Sequence, residues 1–275
     1  MRWAAAALVF EDAEKSPMAT VPSTDAPTAV GVPTGLGASK AVGADKIPRL
    51  EQGDHLTRTE FERRYQAMPE IKKAELIEGV VFMPSPVRAV QHGEPHSNLG
   101  GWLFVYKSQT PGLISPDNAT VRLDEDNEPQ PDSILMIDPT CGGQAAISED
   151  GYLVGAPELI AEIASSSVSK DLHNKLNVYR RTGVREYVVW RVLDRAIDWF
   201  VLREGRYVPL SPGDDGVVRS EVFPGLWLNV AAMVEGKLDV VLATLQKGIA
   251  TTEHTEFVNQ LAAQRKESTA SGSGS

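Results

Sequence analysis

Cysteine is almost absent. Cys141 stands alone in 275 residues, so no intramolecular disulfide can form. Stability must then come from a packed core and polar contacts, which suits a reducing compartment. Long apolar runs are missing too, and nothing approaches the ~20 residues that a membrane helix needs. The stretch Met1 to Phe10 is short, is followed at once by Glu11-Asp12, and has no small-x-small cleavage site behind it. A cytoplasmic protein without membrane attachment is expected. A basic excess is also lacking: 37 acidic residues face 27 basic ones, for a net charge of −10. Affinity built on phosphate contacts usually shows as a basic face. Tight non-specific binding along nucleic acid is therefore disfavoured, and only a local basic groove stays open. There is no Gly-rich phosphate loop, no Cys/His cluster and no nucleophile elbow. His92 and His96 are four apart, but Pro95 stands between them and no third zinc ligand is evident.

The composition is 42% hydrophobic and 23% charged, enough apolar material for a core of ordinary size. Residues 1–50 are rich in Ala, Pro, Gly, Thr and Ser without sustained periodicity and read as a disordered arm. Residues 51–250 read as one domain, and 251–275 as a short helix with a Ser/Gly tail. Within the domain, Thr57 and Glu60 have capping-box spacing. Leu76-Ile77 and Val80 to Phe82 flank Glu78-Gly79 as a strand pair or bent strand. His92 to Lys107 reads as a helix. Strands are expected at 119–123, 133–137, 158–164, 187–192, 197–202, 206–210 and 217–222. Between them a helix capped by Ser167 or Ser169 carries the stripe Leu172, Leu176, Tyr179 and stops at Gly183. A last helix spans about 238–247. This alternation suggests a mixed sheet flanked by helices.

Two carboxylates stand out because of their company. Asp132 follows Pro131 and precedes the apolar run Ser133 to Ile137. Glu162 lies inside Leu159-Ile160-Ala161-Glu162-Ile163. A carboxylate in a buried strand is costly unless it is paired or metal-bound. Adjacent strands could bring the two to one hard cation, and magnesium accepts few carboxylates plus water. Each residue also has a plainer reading: Asp132 as a turn residue, Glu162 as a core acid paired with an arginine, and Lys175 as the i+4 ion-pair partner of Asp171.

From about Thr57 to Val234 the chain resembles the Uma-two family, a branch of the PD-(D/E)XK nuclease superfamily. The likeness rests on an ordered series: Ala74 to Gly79, Met83-Pro84-Ser85-Pro86 with His92, Gln130-Pro131-Asp132, Gly155 to Leu159, Glu162 to Ser167, Asp171 to Tyr179, Gly183 to Tyr187, and Phe223 to Leu226. It implies an α/β (α+β) fold, restriction-endonuclease-like, with a mixed central sheet flanked by helices. It implies a Mg²⁺-dependent endodeoxyribonuclease-like hydrolase acting on nucleic acid, DNA above all, with Mn²⁺ as a substitute cofactor. A homodimer would follow for a double-stranded substrate. Residue by residue, Asp132 and Glu162 match the superfamily acids, and both bind the metal together with the carbonyl of Ile163. The lysine that usually stands two positions after the second acid is replaced by Ala164. Lys175 on the next helix matches instead, with Lys170 as competitor on what periodicity makes the wrong side of the helix. Glu75 matches the acid of the first strand, and His92 a family histidine. Two other readings accompany this one. One is a nuclease-fold protein that binds nucleic acid or a protein partner without catalysis. The other is a homo-oligomer joined through the strand aromatics Trp190, Trp199 and Phe200.

Overall fold

The computed structural model describes residues 47–83, 88–165 and 167–272, all within one unit, Lys46–Ser275. The arm expected over residues 1–50 lies outside the described residues apart from its last four. Of these Leu50 is buried, its N–H 3.2 Å from the Met68 sulfur. Pro84, Ser85, Pro86 and Ser166, which belong to the motif series, also lie outside.

Helix α1 (Arg58–Gln66) leads into the hairpin β1 (Glu75–Ile77) and β2 (Val80–Phe82). The hairpin turns on Glu78 and Gly79, both at positive φ (53° and 73°), as a two-residue I′ turn requires. A π-helical turn, Ala89–Gly93, runs into α2 (Glu94–Ser108), where Pro95 is tolerated because it sits in the first turn. Next come β3 (Leu113–Ile114), β4 (Val121–Arg122), β5 (Ser133–Ile137), β6 (Ala146–Ile147), β7 (Leu153–Val154) and β8 (Leu159–Ala164). A second π-helical stretch, Lys170–Lys175, precedes α3 (Leu176–Thr182), which Gly183 ends at φ 94°. Strands β9 (Glu186–Arg191), β10 (Ala196–Arg203), β11 (Arg206–Pro209), β12 (Val217–Arg219) and β13 (Trp227–Asn229) follow. Helices α4 (Val230–Val234), α5 (Leu238–Ile249) and α6 (Thr252–Gly272) close the described chain.

The central sheet has the order β11-β10-β9-β8-β5-β3, with β8 and β9 parallel and the other pairs antiparallel. It is the expected mixed sheet flanked by helices. The apolar runs of β5, β8 and β9 are buried on both faces, because alternate residues enter two different cores. Leu135, Ala161, Ile163 and Trp190 join Trp102 and Tyr106 of α2, Leu245 of α5 and Leu261 of α6. Ile134, Met136, Ile160, Ala164 and Val189 face the other way, onto Val178 and Tyr179 of α3 and Val121 of β4. Trp190 and Trp199 are both buried, which removes the aromatic surface that the homo-oligomer reading needed. Thr57 is the N-cap residue of α1 but makes no side-chain cap hydrogen bond. The expected capping box does not form, because Glu60 is taken by Arg63 and Arg64.

Away from the sheet, a buried acid titrates upward. Burial, then the facing Glu62 carboxyl, pushes Glu128 up to about 8, against the pull of Arg122 and Arg58. Among the described residues its Oε2 has no hydrogen-bond partner, as suits a carboxyl that keeps its proton. Above its ordinary value of 4.5, the unfolded chain releases a proton that the folded protein holds to about pH 8. The folded state binds more protons across that window, so this group lowers stability as pH rises through it and adds no further slope above. Glu128→Gln should be stabilising at about pH 8.5 by on the order of 2 kcal/mol and close to neutral at about pH 4.5. Urea midpoints at the two pH values check this, and an equal shift at both would contradict it.

Candidate active site

Strand parity places the two acids. Asp132 stands two positions before Ile134, and Glu162 stands between Ile160 and Ala164, so both belong to the α3 face. The register of β5 and β8 pairs Ser133 with Ala161. One step outward, Asp132 lies opposite Glu162 and Pro131 opposite Ile163. Proline has no N–H, so it can offer the Ile163 carbonyl no ladder hydrogen bond. The Ile163 N–H turns instead to Asp132 Oδ2, at 2.8 Å. Asp132 thus ends the ladder with its side chain where a backbone partner would otherwise sit. The hairpin brings the third acid: Leu76 pairs with Glu128 through two backbone hydrogen bonds. Glu75 Oε1 accepts the Gln130 N–H at 3.0 Å, just before Pro131-Asp132.

Lys175 joins two of these acids. Its Nζ donates to Glu75 Oε1 and to Glu162 Oε1, each at 2.7 Å. The Tyr179 hydroxyl donates to the same Glu162 oxygen at 3.0 Å. Lys170 reaches Glu75 Oε2 at 2.8 Å. The expectation that Lys170 lies on the wrong side of the helix is therefore corrected. In an α-helix, residues five apart are about 140° out of line. Here Lys170–Lys175 is π-helical, with i→i+5 bonding, which stacks its first and last residues. Both lysines consequently point at Glu75. The other π-helical turn delivers His92, whose Nε2 is 3.3 Å from Asp132 Oδ2. His96 Nε2 lies 2.7 Å from Asp117 Oδ1 and 2.8 Å from the Asp132 carbonyl. His92 thus meets the Asp132 carboxylate, whereas His96 meets the Asp132 carbonyl and Asp117. Lys73 completes the group, 3.7 Å from Asp132 Oδ1. Ser167, one of the two expected caps, donates to Asp171 Oδ2 at 2.5 Å, while Ser169 makes no cap bond.

The result is an acidic floor under a basic rim. Side chains of Glu75, Asp132, Glu162 and Lys175 are 2–6% exposed, whereas those of Lys73, His92, His96 and Lys170 are 19–28% exposed. Burial pushes Glu75 up, but the charges of Lys175 and Lys170 overcome it and hold the carboxyl well below its usual range. Burial likewise works against the Lys175 charge, yet Glu162, Glu75 and Asp171 keep it a firm cation. One buried ammonium cannot serve every acid. Burial, with Asp132, Asp171 and Glu75 nearby, pushes Glu162 up to about 7 despite Lys175. Asp132 is raised by burial but lowered more by His92, Lys73 and the Ile163 N–H, and its net shift is downward. The hydrogen bond to Asp132 in turn raises His92.

Among the described residues, no three His, Cys, Asp or Glu side chains are arranged to hold a metal ion. The implied set differs from such a cage: two carboxylates and one main-chain carbonyl. Asp132 Oδ1, Glu162 Oε2 and the Ile163 carbonyl are hard oxygen donors at the end of the β5–β8 ladder, a donor chemistry that suits magnesium or manganese. Cavities of about 320 and 330 Å³ lie elsewhere, one beside Gly142 and Arg185, the other between α2 and α5, and neither contains these carboxylates. Sequence reasoning missed Lys73, Tyr179 and Asp171 as members of the site. Tyr179 and Asp171 had a usable signal, each standing four residues from Lys175, whereas nothing marked Lys73.

The family model for Uma2, described as "Putative restriction endonuclease", matches residues 58–231, well over half of the chain. A crystal structure titled as that of a "putative nuclease" from Anabaena variabilis is 14% identical, with a TM-score of 0.48, covering 62% of this chain and 97% of that one. No curated protein matches.

Proposed function

The chain belongs to the Uma2 family, described as "Putative restriction endonuclease", and from that premise we propose that it is a metal-dependent endonuclease that hydrolyses phosphodiester bonds of nucleic acid, DNA above all. The observation that carries the proposal is Asp132 opposite Glu162 at the end of the β5–β8 ladder, with Pro131 leaving the Ile163 carbonyl without its strand donor. Asp132, Glu162 and that carbonyl would hold Mg²⁺, and Mn²⁺ would substitute. Bound there, the ion would polarise a phosphoryl oxygen and lower the pKa of a water. The chain's own groups do the rest. Lys175 and Tyr179 fix Glu162 by its Oε1, which leaves Oε2 for the cation. Glu75 orients Lys175, and Lys170 balances the charge of Glu75. The His92 ring holds Asp132 Oδ2 from the solvent side. A positive group at the rim meets the phosphate, so the overall charge of −10 is no obstacle at this edge. No helix among the described residues is long and apolar enough to cross a membrane. Cutting both strands of a duplex would take two copies.

The second reading, a nuclease-fold protein that binds without cutting, draws on the same site. Each acid of the floor already has a protein cation or N–H beside it. Isothermal titration with Mn²⁺ above pH 7 separates the two. The catalytic reading predicts one site that Asp132→Ala weakens at least tenfold. Little heat from the wild-type protein would favour the binding reading.

A further inference from the structure

We propose that Lys73 is a further substrate-contacting residue of this site, which balances Asp132 in the cation-free protein and holds a nucleic-acid phosphate once a divalent cation has taken Asp132. The inference rests on the endonuclease reading and adds to it a residue that neither periodicity nor motif singles out.

The three neighbours of the Asp132 carboxylate are held to different degrees. The Ile163 N–H is main chain and fixed, at 2.8 Å from Oδ2. His92 sits against the same oxygen at 3.3 Å, on its π-helical turn. Lys73 lies 3.7 Å from Oδ1, too far for a hydrogen bond. Among the described residues it donates to Asn118 Oδ1, at 3.3 Å. The Lys73 side chain is 28% exposed. It is thus a loosely held ammonium on a flexible stem, at the solvent side of Oδ1.

The other two lysines of the site differ from it. Lys175 is sealed between Glu75 and Glu162 and cannot leave without exposing both. Lys170 faces Glu75, which is not among the implied metal ligands, and its ammonium also lies 5.3 Å from the Phe82 ring. Only Lys73, among these three, shares an oxygen with the implied ion. A doubly charged cation on that oxygen would repel an ammonium a few ångströms away. The freed amine keeps three donors and a full charge beside the point where the phosphate would meet the ion, and lysine binds phosphate as a point charge. One side chain then has two opposite effects. It competes with the cation when the protein is alone, and it strengthens the grip on nucleic acid when the cation is present.

Lys73→Gln tests both effects, with the exposed neighbour Lys72→Gln as control; Lys72 donates to the Pro69 carbonyl, away from Asp132. Isothermal titration with Mn²⁺ alone should show Lys73→Gln binding roughly three- to tenfold more tightly than wild type. Binding of a fluorescent DNA duplex in Ca²⁺ should weaken, and the slope of log affinity against log salt should shrink by about one. Lys73→Arg should keep the wild-type salt slope, and Lys72→Gln should match wild type in both assays. Unchanged Mn²⁺ affinity or an unchanged salt slope in Lys73→Gln would overturn the proposal. If wild-type protein still binds Mn²⁺ through Asp132 in that case, the endonuclease reading survives. If wild type binds no Mn²⁺, both fall.

Discussion

Lys175→Met should cost on the order of 3–5 kcal/mol of stability, because it strands buried carboxylates rather than removing a surface contact. Lys175 is 2% exposed and holds Glu75 and Glu162 at 2.7 Å each. Lys170 remains on the other oxygen of Glu75, so that acid keeps one partner. Glu162 keeps, among the described residues, the Tyr179 hydroxyl and must take up a proton. A domain of this size should lose on the order of 10 °C in Tm. Glu162→Gln gives the contrast. Its carboxyl is already pushed up to about 7, so a neutral amide replaces a group that is half neutral near that pH. The expected cost is below about 1 kcal/mol at pH 7, with the Lys175→Met defect partly relieved in the double variant. Thermal melts of the four proteins decide. Additive effects of the two substitutions would contradict the shared-charge account.

Much of the sheet was legible in the sequence for a simple reason. Ser133 to Ile137 and Leu159 to Ala164 are apolar on both faces, which only a central strand can bury. Against that background Asp132 and Glu162 were conspicuous, and neighbouring strands did bring them together. The motif order carried Glu75 and His92 to the same edge, although nothing local marks either as polar machinery. Short pairings were not legible. Strands β3, β4, β6 and β7 are two residues each, too short for a periodicity to announce them, and the pairings of β3 with β5 and of β4 with β7 join distant segments. Helix α6, where a short helix and tail were expected, runs to Gly272 and buries Leu261 against the core that α2 and α5 share.

The lysine question shows why local rules failed inside the site. Periodicity of 3.6 sets Lys170 and Lys175 on different sides, and it favoured one over the other. A π-helical stretch changes the period, and both reach the same carboxylate. Nothing in Lys-Asp-Leu-His-Asn-Lys signals that change; the opposite charges that its two lysines meet come from two other elements, β1 and β8. Buried acids with a purely structural role were equally silent. Glu158 accepts the Ile137 and Gln144 N–H groups, and Glu186 accepts those of Glu221 and Val222 together with the Ser220 hydroxyl. By sequence these acids resemble Glu162 in standing among apolar strand residues, although Glu158 directly precedes β8, Glu186 opens β9 and Glu162 sits inside β8. What separates them is the partner. Backbone N–H groups surround the structural acids, whereas Glu162 meets an ammonium and stands opposite Asp132.

Asp132→Asn is the sharpest test of the chemistry. The amide keeps the size of the side chain, and its oxygen can still accept the Ile163 N–H, so the ladder end should survive. It removes the charge that a divalent cation would need, at the residue opposite Glu162. Supercoiled plasmid incubated with purified protein and Mg²⁺ or Mn²⁺ should be nicked by wild type. The Asp132→Asn protein, with an unchanged melting profile, should be at least about 100-fold slower. Nicking at equal rates by the two proteins, or nicking by wild type that persists undiminished in excess EDTA, would contradict a cation-dependent site built on Asp132 and Glu162.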